Sequence, residues 1–252
     1  MKFIPTIYDL STRSVATAIG ASLLAAGAAW GVSGTALVLS VVVIAMAIGW
    51  PVLLGLPARV GSALVIALAG LGALAVVFAA PREPWIRSVP LVLAFAVVLA
   101  FINELTRPDD RSRLTQSLLG TVAGAVLVAG AAGWLAADRT VVGHKVITLG
   151  AIALAVAAVI AALPMYGWAS FTTSSLAAVV GAVVVAQSII PMRMLTAIAV
   201  GVLSGLAVAM SHMLFVRIPA LRSARAAWAA IAAPIVAAGP FLYAIARLTL
   251  VV

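Results

Sequence analysis

An all-α, polytopic membrane bundle of about nine spans is the fold class this sequence predicts, and three observations predict it. Mean hydropathy is +1.29. Only 8% of the 252 residues are charged, where soluble chains carry about 25%. Apolar runs of about 20 residues, the length a helix needs to cross the hydrocarbon core, recur along the whole chain. No polar stretch is long enough to fold separately, so the chain reads as one integral membrane domain, 1–252. Its chemistry must then lie inside the bilayer or at its two surfaces.

Taken in order, residues 1–13 carry Lys2, Asp9 and Arg13 among apolar side chains and read as a short interfacial segment. Asp9 or Ser11 can cap the first helix. Asp9 and the apolar run that follows at once argue against a cleaved signal peptide. Spans are expected at about 14–31, 34–54, 61–80, 88–105, 114–137, 145–164, 172–190, 194–214 and 226–248. Gly31 to Gly34 mark a tight hairpin, GLPARV (55–60) turns the chain again, and PREPWIR (81–87) makes a Trp-bearing interface loop. Pro51, Pro191, Pro234 and Pro240 are read as breaking their helices, because proline lacks the N–H that the ladder needs. The last span, which holds two of them, is expected to be kinked or broken.

Charge concentrates around the fifth span. Glu104, Asp109, Asp110 and Asp138 are four of the six acids in the chain. Residues 107–144 therefore read as a linker span with charged flanks, between an N-terminal half (1–106) and a C-terminal half (145–252). The loop Arg82–Ser88 matches Arg217–Ser223 as R-x-P-x-x-R-S. Upstream of each lie a run of small residues and a Val-Val-Val stretch leading to Pro51 or Pro191. Spans two to four would then repeat as spans seven to nine. An offset of five spans reverses direction through the membrane, which makes the repeat inverted, a design common among secondary transporters.

The net charge of +9 comes from basic residues scattered between apolar spans. Membrane topology and lipid headgroups account for them, and nucleic acid is not expected as a partner. With the N-terminus inside, nine Lys and Arg fall inside and six outside, which favours a cytoplasmic N-terminus in a bacterial plasma membrane. Cysteine is absent, which removes disulfides, thiolate metal sites and Cys nucleophiles. No P-loop, G-x-S-x-G, H-E-x-x-H or dinucleotide fingerprint occurs. No cofactor, metal site or catalytic residue is assigned.

Three polar residues in or near apolar spans are candidate substrate contacts: Glu104, His212 and Tyr243. For Glu104 the preferred reading is an interfacial ion pair with Arg107, three residues on. His212 likewise needs no role beyond its place near the membrane surface. Arg217, Arg222 and Arg225 form the densest basic loop and are candidate headgroup or phosphate contacts. The positive-inside rule explains the same residues without a ligand. Asp109 and Asp110 follow Pro108 at a helix start, where the helix dipole favours acids, and are read as capping residues before metal ligands. Gly27/Gly31, Gly120/Gly124 and Gly201/Gly205 are G-x-x-x-G faces for close helix packing, within the chain, in a homo-oligomer, or against a membrane-protein partner.

GWPVLLGLP (Gly49 to Pro57), FINELTRPDDRSRLTQSLLGTVAG (Phe101 to Gly124) and AGWLAADR resemble uncharacterised integral membrane proteins of actinobacteria. That resemblance spans most of the chain and implies no activity. The helix–basic loop–helix at 201–248 is similar to phosphatidate cytidylyltransferases, whose metals require a loop bearing a carboxylate and His-Gly-Gly. The matching stretch here, SHMLFVRIPALRSARAAW, has no acid. At most, the resemblance implies a catalytically inactive relative.

Two readings of function follow. One is a carrier or permease-like protein for a neutral or amphiphilic substrate, its site at the midplane between the halves. The other is a non-catalytic scaffold or accessory subunit in envelope or lipid assembly. A lipid-modifying enzyme ranks third.

Overall fold

A computed structural model of the chain describes residues 10–107, 113–165, 167–215, 218, 221 and 223–249. Ten helical segments form in order: α1 (Leu10–Ala29), α2 (Val32–Leu53), α3 (Arg59–Phe78), α4 (Val89–Leu105), α5 (Leu114–Ala129), α6 (Ala131–Asp138), α7 (Gly143–Ala161), α8 (Trp168–Ser188), α9 (Met194–Phe215) and α10 (Ala224–Thr249). Among the described residues there is no strand. α5 and α6 are the two parts of a single 25-residue span, so the predicted spans are all present. Among the described residues seven spans are long and apolar enough to cross a membrane; α1 is not one of them, and α4 is apolar but has only 17 residues. The chain is a multi-pass membrane protein.

Contacts between loops define two ends of the bundle. At the first face the Ser11 hydroxyl donates to Ala162 O at 2.9 Å. There too, Arg113 reaches Gly55 O at 3.3 Å. At the second face Thr35 Oγ1 donates to Asp138 at 2.7 Å, and Glu83 pairs with Arg247. Successive spans therefore alternate in direction, with the start of α1 at the first face and the end of α10 at the second.

Exposed apolar stripes mark the lipid-facing surface. On α2, Leu37, Val41, Ile44 and Ile48 lie outward at helical spacing, and on α4 Leu91, Phe95, Val98 and Ile102 do the same. A helix whose outer face is this apolar is stable only against hydrocarbon. α4 is held to the body by one narrow row, Ala96, Ala100 and Glu104, and packs on α3 and α5.

The centre belongs to α10, with 72% of its apolar stretch buried against 28% for α8. Its many alanines leave room for neighbouring backbones, and it packs against α2, α6 and α9. A Cβ on Gly49 of α2 would lie 2.5 Å from the Arg225 carbonyl of α10. One on Gly239 would lie 2.1 Å from the Gly130 carbonyl. These crossings exist only because no side chain stands between the backbones.

α5 and α6 meet at Gly130, whose backbone keeps right-handed helical angles (φ −57°, ψ −26°), so the fifth span runs on as expected. Two expectations need correction. Pro191 breaks no helix and sits in the connection between α8 and α9. α10 runs unbroken from Ala224 to Thr249, with Pro234 and Pro240 inside it. Thr17 Oγ1 donates to Ile231 O at 3.1 Å and the Trp134 indole to Ile235 O at 2.6 Å, beside the turns that proline weakens.

The segments α2–α4 and α8–α10 run in opposite senses, as an inverted repeat requires. Their surroundings differ: α10 is central, whereas its counterpart α4 lies at the edge. The second copy of the R-x-P-x-x-R-S loop lies largely outside the described residues. The glycines of the G-x-x-x-G faces meet helices of this same chain, Gly201 and Gly205 on α8 and Gly120 and Gly124 against Leu56 and Trp50. Gly27 abuts Gly34, and Gly31 takes φ +82 in the hairpin, a conformation that favours glycine.

Candidate functional site

Of the cavities that α10 lines, two lie at opposite faces beside its prolines. The first, of about 40 Å³, lies where α1, α7, α9 and α10 meet. Arg13, Ser14 and Thr17 of α1 face Ser211 and His212 of α9 across it, and Pro234 of α10 forms its inner wall. His212 thus sits among polar side chains near a surface, beside the Arg13 charge.

The second cavity is larger, about 300 Å³, and nearly all apolar. Ile86, Pro90 and Leu93 line it from the 81–88 loop and α4, Val126 and Gly133 from α5 and α6, and Tyr243 from α10 with Pro240. Val126 and Ile86 are also exposed on the outer surface, so the cavity opens sideways between α4 and α5. Gly130, where α5 passes into α6, lies on its wall.

Above this cavity the 81–88 loop is strapped down by Arg139. Its guanidinium donates to the carbonyls of Val77, Phe78 (2.7 Å) and Ala80 (2.9 Å), the orphan acceptors at the end of α3. It also stacks over the Trp85 ring at 4.0 Å. Beneath the loop two donors are left over. The Tyr243 hydroxyl is buried beside the Trp85 main chain without completing a hydrogen bond, and the Trp85 indole N–H has no acceptor. Buried donors cost about 1–3 kcal/mol each when nothing accepts from them.

Glu104 stands apart from both cavities. It is 2% exposed at the first-face end of α4, and both of its oxygens are engaged. Arg107 donates to Oε2 at 2.6 Å and Ser117 to Oε1 at 2.5 Å. Thr121, one turn below Ser117, continues the polar row to Ser62 of α3 at 2.7 Å. The arrangement is a clasp joining α3, α4 and α5.

Of the three candidate substrate contacts, then, the structure brings none together: His212 and Tyr243 line different cavities and Glu104 lines neither. Among the basic candidates, Arg225 opens α10 at the first face, while Arg217 and Arg222 lie outside the described residues, as do Asp109 and Asp110. Among the described residues no cluster of three or more His, Asp or Glu could hold a metal. Sequence reasoning passed over Arg13, Thr17, Trp85 and Arg139. Their partners are distant in sequence, and only the tryptophan in an interface loop carried a local signal. Comparison with protein families, curated proteins and solved structures finds no match.

Proposed function

We propose that this protein is a carrier for a neutral or amphiphilic substrate, and that α10 is the element that moves it between faces. The observation that supports this reading is the pair of cavities on opposite faces, lined by the same helix at Pro234 and at Pro240. Proline removes a hydrogen bond from each turn, so α10 bends there at lower cost than elsewhere. The second-face cavity carries no charged side chain, which suits a substrate without net charge. Tyr243 is the donor placed to hold that substrate's polar group. Glu104 acts on this reading as the fixed end of α4, leaving the opposite end of α4 free to part from α5 and admit substrate from the lipid.

We place the first face in the cytoplasm of a bacterial cell, on the excess of basic residues that its loops carry. The scaffold reading drew on the small-residue faces, and those glycines pack inside the chain.

A test uses proteoliposomes with a chain-labelled fluorescent phosphatidylcholine as probe and dithionite to read its exchange between leaflets. The protein is expected to accelerate exchange, and Tyr243→Phe to slow it about three- to tenfold, the worth of one hydrogen bond. Exchange no faster than in protein-free vesicles would remove the carrier reading for this class of substrate.

A further inference from the structure

A third groove, of about 270 Å³, runs down the outside of the bundle at the first face, between α2 and α3. Its walls are apolar and face the lipid: Ile44, Ile48 and Val52 on α2, and Val60, Leu64 and Ala67 on α3. From Arg59 to Ala67 it descends about 12 Å into the bilayer, at 1.5 Å per residue. Two arginines complete the lining, Arg59 from the start of α3 and Arg225 from the start of α10. The backbone of Arg225 is fixed there by the close crossing of α10 over Gly49. Both side chains are exposed, and among the described residues no carboxylate pairs with either.

We propose that this groove binds an anionic phospholipid of the first-face leaflet, its phosphate between Arg59 and Arg225 and one acyl chain along α2 and α3. Charge decides the occupant. Two guanidinium groups lining one groove without a counter-charge repel, and a phosphate diester satisfies both through paired N–H donors. A second protein helix would bring no such charge unless it carried an acid at that depth, whereas the leaflet supplies phosphate at the height of the arginines. The long arginine stems lie along apolar surface while their heads stay at the headgroup level. A basic pocket over an apolar groove is the usual form of headgroup recognition. The inference does not rest on the carrier reading, since a bound lipid here can as well brace the α2–α10 crossing.

The full-length protein, purified in detergent, is titrated with phosphatidylglycerol and with phosphatidylcholine of the same chains, and bound lipid is counted by native mass spectrometry. Phosphatidylglycerol is expected to bind more tightly. Arg59→Gln and Arg225→Gln should each weaken it about fivefold, at roughly 1 kcal/mol per basic residue near the surface, and leave phosphatidylcholine unchanged. Arg59→Lys and Arg225→Lys keep the charge and lose the paired donors, so they should weaken binding less than the Gln variants, which separates lost charge from lost fold. Ala63→Trp, which fills the groove, should weaken both lipids. Arg82→Gln, at the other face, should change neither. Equal binding of the two lipids, or Gln variants indistinguishable from the parent, would overturn the proposal. So would displacement of phosphatidylglycerol by inorganic phosphate at equal concentration, because the site would then recognise an anion alone.

Discussion

Glu104→Ala is expected to destabilise the fold by about 3–5 kcal/mol, the typical cost of removing one partner of a buried ion pair. The reason is what stays behind. The Arg107 side chain, 7% exposed, loses the Glu104 carboxylate, and the Ser117 hydroxyl loses its acceptor. α4 has no second anchor of this kind, since Ala96 and Ala100 are its other buried residues. Thermal unfolding in a fixed detergent, checked by limited proteolysis, measures the loss. The double variant Glu104→Met/Arg107→Met should recover most of it, because a well-packed apolar pair avoids the desolvation that the ion pair must offset. A single variant as stable as the parent would show that the clasp does not hold α4.

Gly239→Ala should cost about 3 kcal/mol, at the upper end of the range for overpacking. Its Cβ would fall 2.1 Å from the Gly130 carbonyl and 2.9 Å from the Trp134 ring. The first obstacle is backbone, which cannot rotate out of the way. α6 and α10 would have to separate, and the Trp134 bond to Ile235 would go with them. Gly72→Ala is the control. Its Cβ meets only a Val92 methyl at 3.1 Å, and alanine's higher helix propensity offsets the small shift. That variant should stay within about 1 kcal/mol of the parent. If both substitutions have the same small effect, the α6–α10 crossing is not as close as described.

Much of the fold was legible because bilayer physics writes it locally. A helix must satisfy its own backbone in lipid and must be about 20 residues long, so each span announces itself as an apolar run. What the runs do not reveal is which helix is central. α10 and α4 are both apolar, yet one is buried on most sides and the other faces lipid. The signal was the alanine richness of 224–238, which permits close neighbours without saying which ones. Pro191 was misread because a proline between two apolar runs looks the same in a connection as in a helix. Tyr243 was legible as a polar group in an apolar span. The cavity around it was not, because Pro90, Val126 and Gly133 come from other spans.

The account stands on the alternation of spans, which puts cavities at both faces of a shared helix. Absence of cysteine allows a direct measurement. Thr106→Cys at the first face and Val141→Cys, 93% exposed at the second, are made separately. Intact cells are labelled with a membrane-impermeant maleimide, and lysed cells serve as control. Labelling of Val141→Cys in intact cells, with Thr106→Cys labelled only after lysis, is the expected result. It would place the two connections on opposite sides of the membrane and the first face in the cytoplasm. Labelling of both from the same side would contradict the alternation of spans, and the two-cavity account of transport would fall with it.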